Sequence, residues 1–160
     1  MAILLYRVDE RLIHGQVTVG WGNRLHPDRY VVVDDAVAGS EWEQEIHALG
    51  VPHDCAFDFV TVTEARERLD GWRTGSESVI LLTRDLDHML RLASGGRMRG
   101  EAVNLGGVHH RPGREEVLPF LYLDAGDRAR VRSLVEEGLL VSAQDVPGAP
   151  RKSVEELKGV

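Results

Sequence analysis

Short apolar runs alternate with helical patterns along the chain, and this alternation is the strongest constraint on its fold. The runs lie at residues 3–6, 30–33, 57–62, 79–82, 102–105, 117–123 and 139–143. Unbroken apolar runs of this length are typical of strands that are buried on both faces. Between them lie helical stripes, such as Val17, Trp21 and Leu25 at positions i, i+4 and i+8. The pattern predicts an α/β fold with three layers: an open, mostly parallel sheet of about seven strands with helices on both faces.

The link between residues 105 and 117 breaks this alternation because it has no helical pattern. A strand that is joined without a crossover helix pairs antiparallel to its predecessor. We therefore predict at least one antiparallel strand near the C-terminal end. No linker divides the chain, and 160 residues is the usual size of one domain, so residues 1–160 are predicted to form a single domain.

Composition excludes several classes of function. The formal net charge of −7 argues against binding to nucleic acid or to an anionic membrane. The single cysteine, Cys55, excludes an intrachain disulfide and a cysteine-rich zinc site. The N-terminal apolar run is too short for a signal peptide or a membrane span. We predict a cytoplasmic protein without cofactor or metal, which needs membrane partners if it serves a membrane process.

Residues 7–17, with the sequence RVDERLIHGQV, form the loop that carries the candidate chemistry. A strand ends near Arg7 and a helix is predicted to begin near Gln16, so His14 lies just before a helix start. Unpaired backbone N–H groups at such a start attract a phosphate. Gly15 lets the backbone approach that phosphate closely, and the planar fork of Arg11 suits its oxygens.

A histidine beside an anion site has a specific use. A neutral imidazole nitrogen is nucleophilic near neutral pH and can accept a phosphoryl group, whose transfer requires mainly positioning and charge stabilisation. Arg7 and Asp9 are expected to brace the loop through a salt bridge. From the residues alone, two other interpretations stay open: a structural surface loop, or a loop that binds an anionic ligand. Arg11 could equally be a surface residue paired with Asp9 or Glu10.

A second loop follows the fifth apolar run. In sheets of this class, ligands bind beyond the carboxyl ends of the strands, so this loop is expected near the first. Its candidate contacts are Asn104, Gly106, Gly107 and Arg111. His109 and His110 lie in the same basic loop, and they either contact a phosphodonor or have no role. No carboxylate or cysteine completes a metal-ligand set with them by spacing.

The loop sequence RVDERLIHGQV closely resembles the signature R-[IV]-D-[DE]-R-L-I-H-G-Q-V. That signature opens the IIB subunits of the mannose/fructose/sorbose family of the bacterial phosphoenolpyruvate-dependent sugar phosphotransferase system (PTS). The similarity extends along nearly the whole chain, through VVVDDAVA from Val31, VILLTR from Val79 and VNLGGVHHRPG from Val103.

The resemblance implies that His14 is phosphorylated, at Nδ1, by a IIA protein or domain. The phosphoryl group would pass to a sugar held by the membrane subunits IIC and IID, which would hold the protein at the inner face of the membrane. The resemblance names no sugar and leaves a homo-oligomer open. Two alternatives remain: a phosphorylated regulatory protein of a partial phosphotransferase system without a sugar acceptor, and an unphosphorylated module that binds an anionic metabolite.

Overall fold

The computed structural model describes residues 2–160 and contains the predicted sheet. The strands are β1 (Ile3–Val8), β2 (Arg29–Val33), β3 (Ala56–Val60), β4 (Val79–Thr83), β5 (Ala102–Leu105), β6 (Glu115–Leu118), β7 (Leu121–Leu123), β8 (Leu140–Ala143) and β9 (Lys152–Ser153). Seven of them form one sheet in the order β3-β2-β4-β1-β5-β8-β9. All neighbouring pairs in it are parallel except β8 and β9, which are antiparallel. The predicted fold class is confirmed.

Helices cover both faces of the sheet. They are α1 (Gly22–Leu25), which continues a π-helical segment (Gln16–Trp21), α2 (Asp35–Ala38), α3 (Glu41–Ala48), α4 (Val62–Thr74), α5 (Leu86–Ala93), α6 (Ala125–Glu136) and a 3-10 turn (Val154–Glu156). The core is divided into two apolar clusters by the sheet. One includes residues of α4, α5 and α6, and the other includes Val17 and Trp21 of the first helical segment. No helix among residues 2–160 is long and apolar enough to cross a membrane.

The central strands show why the apolar runs are unbroken. In β4, Val79 and Leu81 pack into the first cluster, whereas Ile80 and Leu82 pack into the second. Successive side chains of a strand point to opposite faces, so a strand that is covered on both sides needs apolar residues at every position. All five residues of β4 are buried.

The run at residues 117–123 differs from the prediction, because it is not a strand of the main sheet. It is split between β6 and β7, which pair with each other in a separate antiparallel hairpin. Pro119 and Phe120 form the tight turn between them, and a proline has no N–H to donate to a ladder. The antiparallel strand of the main sheet is instead β9, where Ser153 pairs with Ser142 of β8.

The adjacent ends of β4, β1 and β5 fix the position of the loop at residues 7–17. Val8 is in register with Thr83 on one side and with Leu105 on the other. Beyond the strand, the Asp9 N–H donates to Thr83 O at 2.9 Å. The Glu10 N–H donates to Gly107 O at 2.8 Å. The first and second loops are thus joined at the carboxyl edge of the sheet.

Candidate functional site

A buried ion pair forms the base of the site. Arg7 and Asp9 have fully buried side chains, and Arg7 Nη2 lies 3.1 Å from Asp9 Oδ2. The remaining donors of the guanidinium reach the second loop and the C-terminal segment: the side-chain oxygen of Asn104, Gln144 O at 2.8 Å and Asp145 O at 2.9 Å. Because its donors are used within the protein, Arg7 is placed to hold the loop rather than to contact a ligand.

The electrostatics keep both members of this pair charged. Burial by itself raises the pKa of Asp9, but His14, Arg7 and Arg11 together hold that pKa well below its usual range. Burial lowers the pKa of Arg7, and the charge of Asp9 opposes this effect. The ring of Trp21 adds a further favourable contact, with its centroid 5.4 Å from the guanidinium carbon.

His14 lies next to this pair, and its side chain is 16% exposed. Its Nε2 is 3.2 Å from Asp9 Oδ2, although the angle between them is poor for a hydrogen bond. Its Nδ1 accepts the backbone N–H of Gln16 at 3.3 Å. A carboxylate beside Nε2 favours the tautomer with the proton on that nitrogen, which leaves a lone pair on Nδ1. The nucleophilic nitrogen therefore faces the start of the helix.

Arg11 lies at the rim of the site and is 34% exposed. Its Nε is 3.2 Å from Asp9 Oδ1, and its Nη2 donates to the side-chain oxygen of Gln16. The pairing with Asp9 that the sequence left open is therefore present in the structure. Since Arg7 is fully buried, Arg11 is the better placed of these two arginines to reach a phosphoryl group on His14.

The predicted helix start after His14 is present, in π-helical form. The N–H groups of Val17 and Thr18 both donate to His14 O, at 3.0 and 2.9 Å. A Cβ added to Gly15 would meet no atom within 4 Å. The protein itself therefore does not require glycine at this position, and the space in front of it is open to an approaching group.

Two glycines of the second loop pack closely against the first loop. A Cβ at Gly106 would lie 2.6 Å from Arg7 Nε. A Cβ at Gly107 would lie 3.0 Å from Arg11 Nη2 and 3.2 Å from Asp9 Oδ1. Asn104, Gly106 and Gly107 are thus brought together with the first loop, as the strand order predicts.

Arg111, in contrast, does not reach His14. It is 62% exposed and pairs with Glu10, at 2.9 Å between Nη2 and Oε2. Glu10 also accepts from the N–H of His109 at 2.8 Å and from Arg114 Nη1 at 2.7 Å. Sequence analysis missed this role of Glu10, which ties the basic loop to the first loop. The sequence feature that could have indicated this link is an acidic residue, Glu10, in the first loop and several basic residues in the second loop.

His109 and His110 are both exposed. The ring of His110 packs edge-on against Tyr122, with 5.6 Å between centroids. These contacts place the two histidines on the surface beside the site.

A second polar cluster lies at the carboxyl ends of β2 and β4. Asp34, Asp85 and His88 offer ligand atoms within 4.8 Å of one another, a distance suited to a metal ion. However, both ring nitrogens of His88 have partners already: Nδ1 is 2.7 Å from Asp85 Oδ1, and Nε2 accepts the N–H of Asp35 at 3.2 Å. We assign no metal to this cluster.

The chain is similar to several known IIB proteins. The N-acetylgalactosamine-specific phosphotransferase enzyme IIB component 1 of Escherichia coli K12 is 30% identical over 153 residues, which cover 95% of this chain and 96% of that protein. The sorbose-specific EIIB component of Lacticaseibacillus casei is 29% identical over 154 residues, covering 96% and 93%. The mannose-specific EIIAB component of Escherichia coli K12 is 28% identical over 157 residues, covering 98% of this chain and 48% of that protein.

Solved structures agree with these similarities. The N-acetylgalactosamine-specific IIB component 1 from Escherichia coli superimposes with a TM-score of 0.86 at 28% identity, over 95% of this chain and 99% of that one. The IIBSor domain of the sorbose permease from Klebsiella pneumoniae gives 0.87 at 25% identity, over 98% and 96%. The family described as "PTS system sorbose subfamily IIB component" matches residues 3–159. The chain therefore belongs to the sorbose subfamily of PTS IIB components, which are phosphocarriers and phosphotransferases of sugar uptake systems.

Proposed function

We propose that His14 carries the phosphoryl group, accepting it on Nδ1 from a IIA protein or domain and passing it to a sugar held by the membrane subunits IIC and IID. The observation that supports this assignment is the position of the ring between two unlike neighbours. Nε2 faces the buried carboxylate of Asp9, whereas Nδ1 faces the backbone N–H of Gln16. Nε2 therefore lies beside a negative charge, and Nδ1 is directed at a backbone N–H at the start of a helix, where a phosphate is well stabilised.

In the first step, the lone pair of Nδ1 attacks phosphorus while the bond between phosphorus and the donor's histidine nitrogen breaks, with its electron pair leaving on that nitrogen. Positive charge develops on the ring of His14, and the nearby carboxylate of Asp9, 3.2 Å from Nε2, stabilises that charge. Arg11 exchanges its bonds to Asp9 and Gln16 for the phosphoryl oxygens. Each charge-assisted hydrogen bond of this kind contributes about 1.5–3 kcal/mol.

In the second step, a sugar hydroxyl oxygen attacks phosphorus and the N–P bond breaks, with its electrons returning to Nδ1. The hydroxyl proton leaves to a base at the sugar site, and His14 is again neutral with its Nε2 proton directed at Asp9. Since both steps use one ring nitrogen, donor and acceptor must approach the same opening of the site. Docking at IIC and IID would place the protein at the cytoplasmic face of the membrane while it transfers phosphate.

The test is stepwise labelling. Phosphoenolpyruvate, the general phosphotransferase proteins and a matching IIA should add one acid-labile, base-stable phosphate to the chain. His14→Ala should abolish the label, whereas His53→Ala, at an exposed histidine in another loop, should keep it. Label that survives His14→Ala would disprove the assignment.

The second half of the test adds membranes that contain IIC and IID, together with N-acetylgalactosamine, mannose or sorbose. Sugar phosphate should appear as phosphohistidine disappears. If the phosphate stays on His14 with each sugar, or passes only to a soluble protein, the regulatory alternative replaces transport. That alternative shares the first step and differs only in the acceptor.

A further inference from the structure

Helix α3 presents its apolar side chains to solvent rather than to the core. Trp42, Ile46 and Leu49 are 70%, 48% and 88% exposed, and no residue of α3 is buried. Their spacing of i, i+4 and i+7 places them in one line along the helix, which we call the α3 stripe. The less exposed residues on the other side of the helix include Gln44 and His47, both polar. The apolar side of α3 therefore faces solvent and its polar side faces the protein, which is the opposite of a helix that packs on a core.

Hydrogen bonds hold α3 in this orientation. The amide nitrogen of Gln44 donates to Val37 O at 2.9 Å and to Ala38 O at 3.0 Å. The hydroxyl of Ser40 accepts the N–H of Glu43 at 3.3 Å and caps the helix. These bonds attach the polar side of α3 to α2, so the stripe cannot rotate inward without breaking them.

The α3 stripe borders the phosphorylation loop. Helix α3 ends at Ala48, with Leu49 as its C-cap, and the next residue, Gly50, packs on Ile13, the residue before His14. A Cβ at Gly50 would lie 3.2 Å from Ile13 Cγ2. A protein that docks on the stripe is therefore placed beside His14.

The chain segment around the stripe is acidic. Residues 30–65 contain eight aspartates and glutamates and no lysine or arginine, although Asp35, Glu43 and Asp58 pair with arginines from other segments. Glu41 and Glu45 are exposed on α3 itself, next to the stripe residues. The loop that carries Arg111, which is tied to Glu10, has the opposite charge and also adjoins the first loop. A partner for the stripe needs an apolar centre and a basic rim.

We propose that the α3 stripe is the surface by which the protein docks on the membrane subunits IIC and IID. Cytoplasmic loops of membrane proteins carry an excess of lysine and arginine, which complements the acidic surroundings of α3. Tryptophan is among the residues that most often anchor the centre of such interfaces, and the aliphatic side chains beside Trp42 add apolar area that a partner can bury. This inference rests on the proposed function, because it names the surface that brings His14 to its sugar acceptor.

The test measures binding and transfer separately. Full-length protein, phosphorylated on His14, is sedimented with lipid vesicles that contain IIC and IID and with empty vesicles of the same lipid. Trp42→Ser and Leu49→Ser should each raise the dissociation constant for the IIC–IID vesicles by about tenfold or more. Leu140→Ser is the matched control, because Leu140 is a similarly exposed residue on β8, near the other end of the sheet, and it should bind as the wild type does.

Charge is tested with Glu41→Lys combined with Glu45→Lys. This double variant should bind more weakly than the wild type at low salt, and the difference should shrink as salt is added. Loading of His14 by IIA should stay at the wild-type rate in each of these variants, since only the second docking step is affected.

Several results would overturn the proposal. Wild-type binding that is equal on vesicles with and without IIC–IID would do so. Slower loading by IIA in the stripe variants would assign the stripe to the donor. A wild-type dimer that Trp42→Ser converts to a monomer would assign it to a second copy of the chain. Failure of the proposed function is a different result: wild-type protein that binds the vesicles through the stripe but forms no sugar phosphate.

Discussion

Replacing Asp9 by asparagine isolates the charge at the base of the site. The amide has nearly the same shape as the carboxylate, so packing is preserved while the negative charge is lost. Arg7 then stays fully buried without its ionic partner. Of the two Asp9 oxygens that accept from Arg7 and Arg11, one becomes an NH2 group, which cannot accept their hydrogen bonds.

The expected cost follows from burial. Removing one member of a buried ion pair destabilises a protein by about 3–5 kcal/mol, because the other charge is left uncompensated. For a chain of this length, 1 kcal/mol corresponds to about 2–4 °C in Tm, so Asp9→Asn should lower Tm by about 6–20 °C. The same change removes the carboxylate beside His14 Nε2, so phosphorylation of whatever protein remains folded should be slower.

The assay is urea unfolding at several pH values, with Asp58→Asn as the control. Asp58 pairs with Arg29 at 2.8 Å, and both side chains are partly exposed. Removing an ion pair of this kind lowers the free energy of unfolding by at most about 1 kcal/mol. Because the pKa of Asp9 is lowered on folding, its stabilisation is present above its unfolded pKa of about 4 and is lost as pH falls below it. The difference in free energy of unfolding between the wild type and Asp9→Asn should therefore become smaller below about pH 4. A free energy of unfolding for Asp9→Asn within about 1 kcal/mol of wild type at pH 7 would refute the argument.

Three further pairs of substitutions test the site and its frame. Arg11→Gln should slow phosphoryl transfer about ten- to a hundredfold in rapid-quench assays, with little change in the free energy of unfolding. Arg11→Lys should restore little of the rate because lysine lacks the planar fork of arginine. A wild-type rate in Arg11→Gln would show that Arg11 takes no part in the transfer. Gly106→Ala should destabilise by about 1–3 kcal/mol in urea, because its methyl overlaps a buried guanidinium, whereas Gly15→Ala, with open space, should not. Thr61→Ala should cost about 0.5–2 kcal/mol through loss of a helix cap, and Thr63→Ala almost nothing; the reverse order would contradict the cap assignment.

The sheet could be predicted from the sequence because its signals are local. Each central strand needs apolar residues on both faces, and this requirement appears as an unbroken run such as residues 79–82. The strand β9 has only two residues and no apolar run, so its pairing depends on packing against β8. The start of α4 is equally hard to place from sequence, because Thr61 and Thr63 are both suitable caps; in the structure Thr61 accepts the N–H of Glu64 and completes a capping box.

The sequence places the second loop beside the first, but the individual bonds of the site could be predicted only within the first loop. His14, Arg11 and Gly15 lie within five positions of one another, so their types and spacing indicate an anion site. The bond from the His109 N–H to Glu10 joins residues that are 99 positions apart. No local pattern specifies such a bond, since it depends on β1 and β5 being neighbours in the sheet.

If His14 carries the phosphoryl group, as we propose, the contrast between Arg7 and Arg11 accounts for a site that can both hold and release it. Arg7 is buried and its bonds lie within the protein, so we expect it to contribute rigidity and no affinity for phosphate. Arg11 is bound to Asp9 and Gln16, and it would give up these bonds to hold the phosphoryl oxygens. Because bonds would be exchanged rather than added, the net gain on phosphorylation should be small. A carrier requires this balance: a site that offered Arg11 no alternative partner would bind the phosphoryl group more tightly and pass it to the next acceptor more slowly.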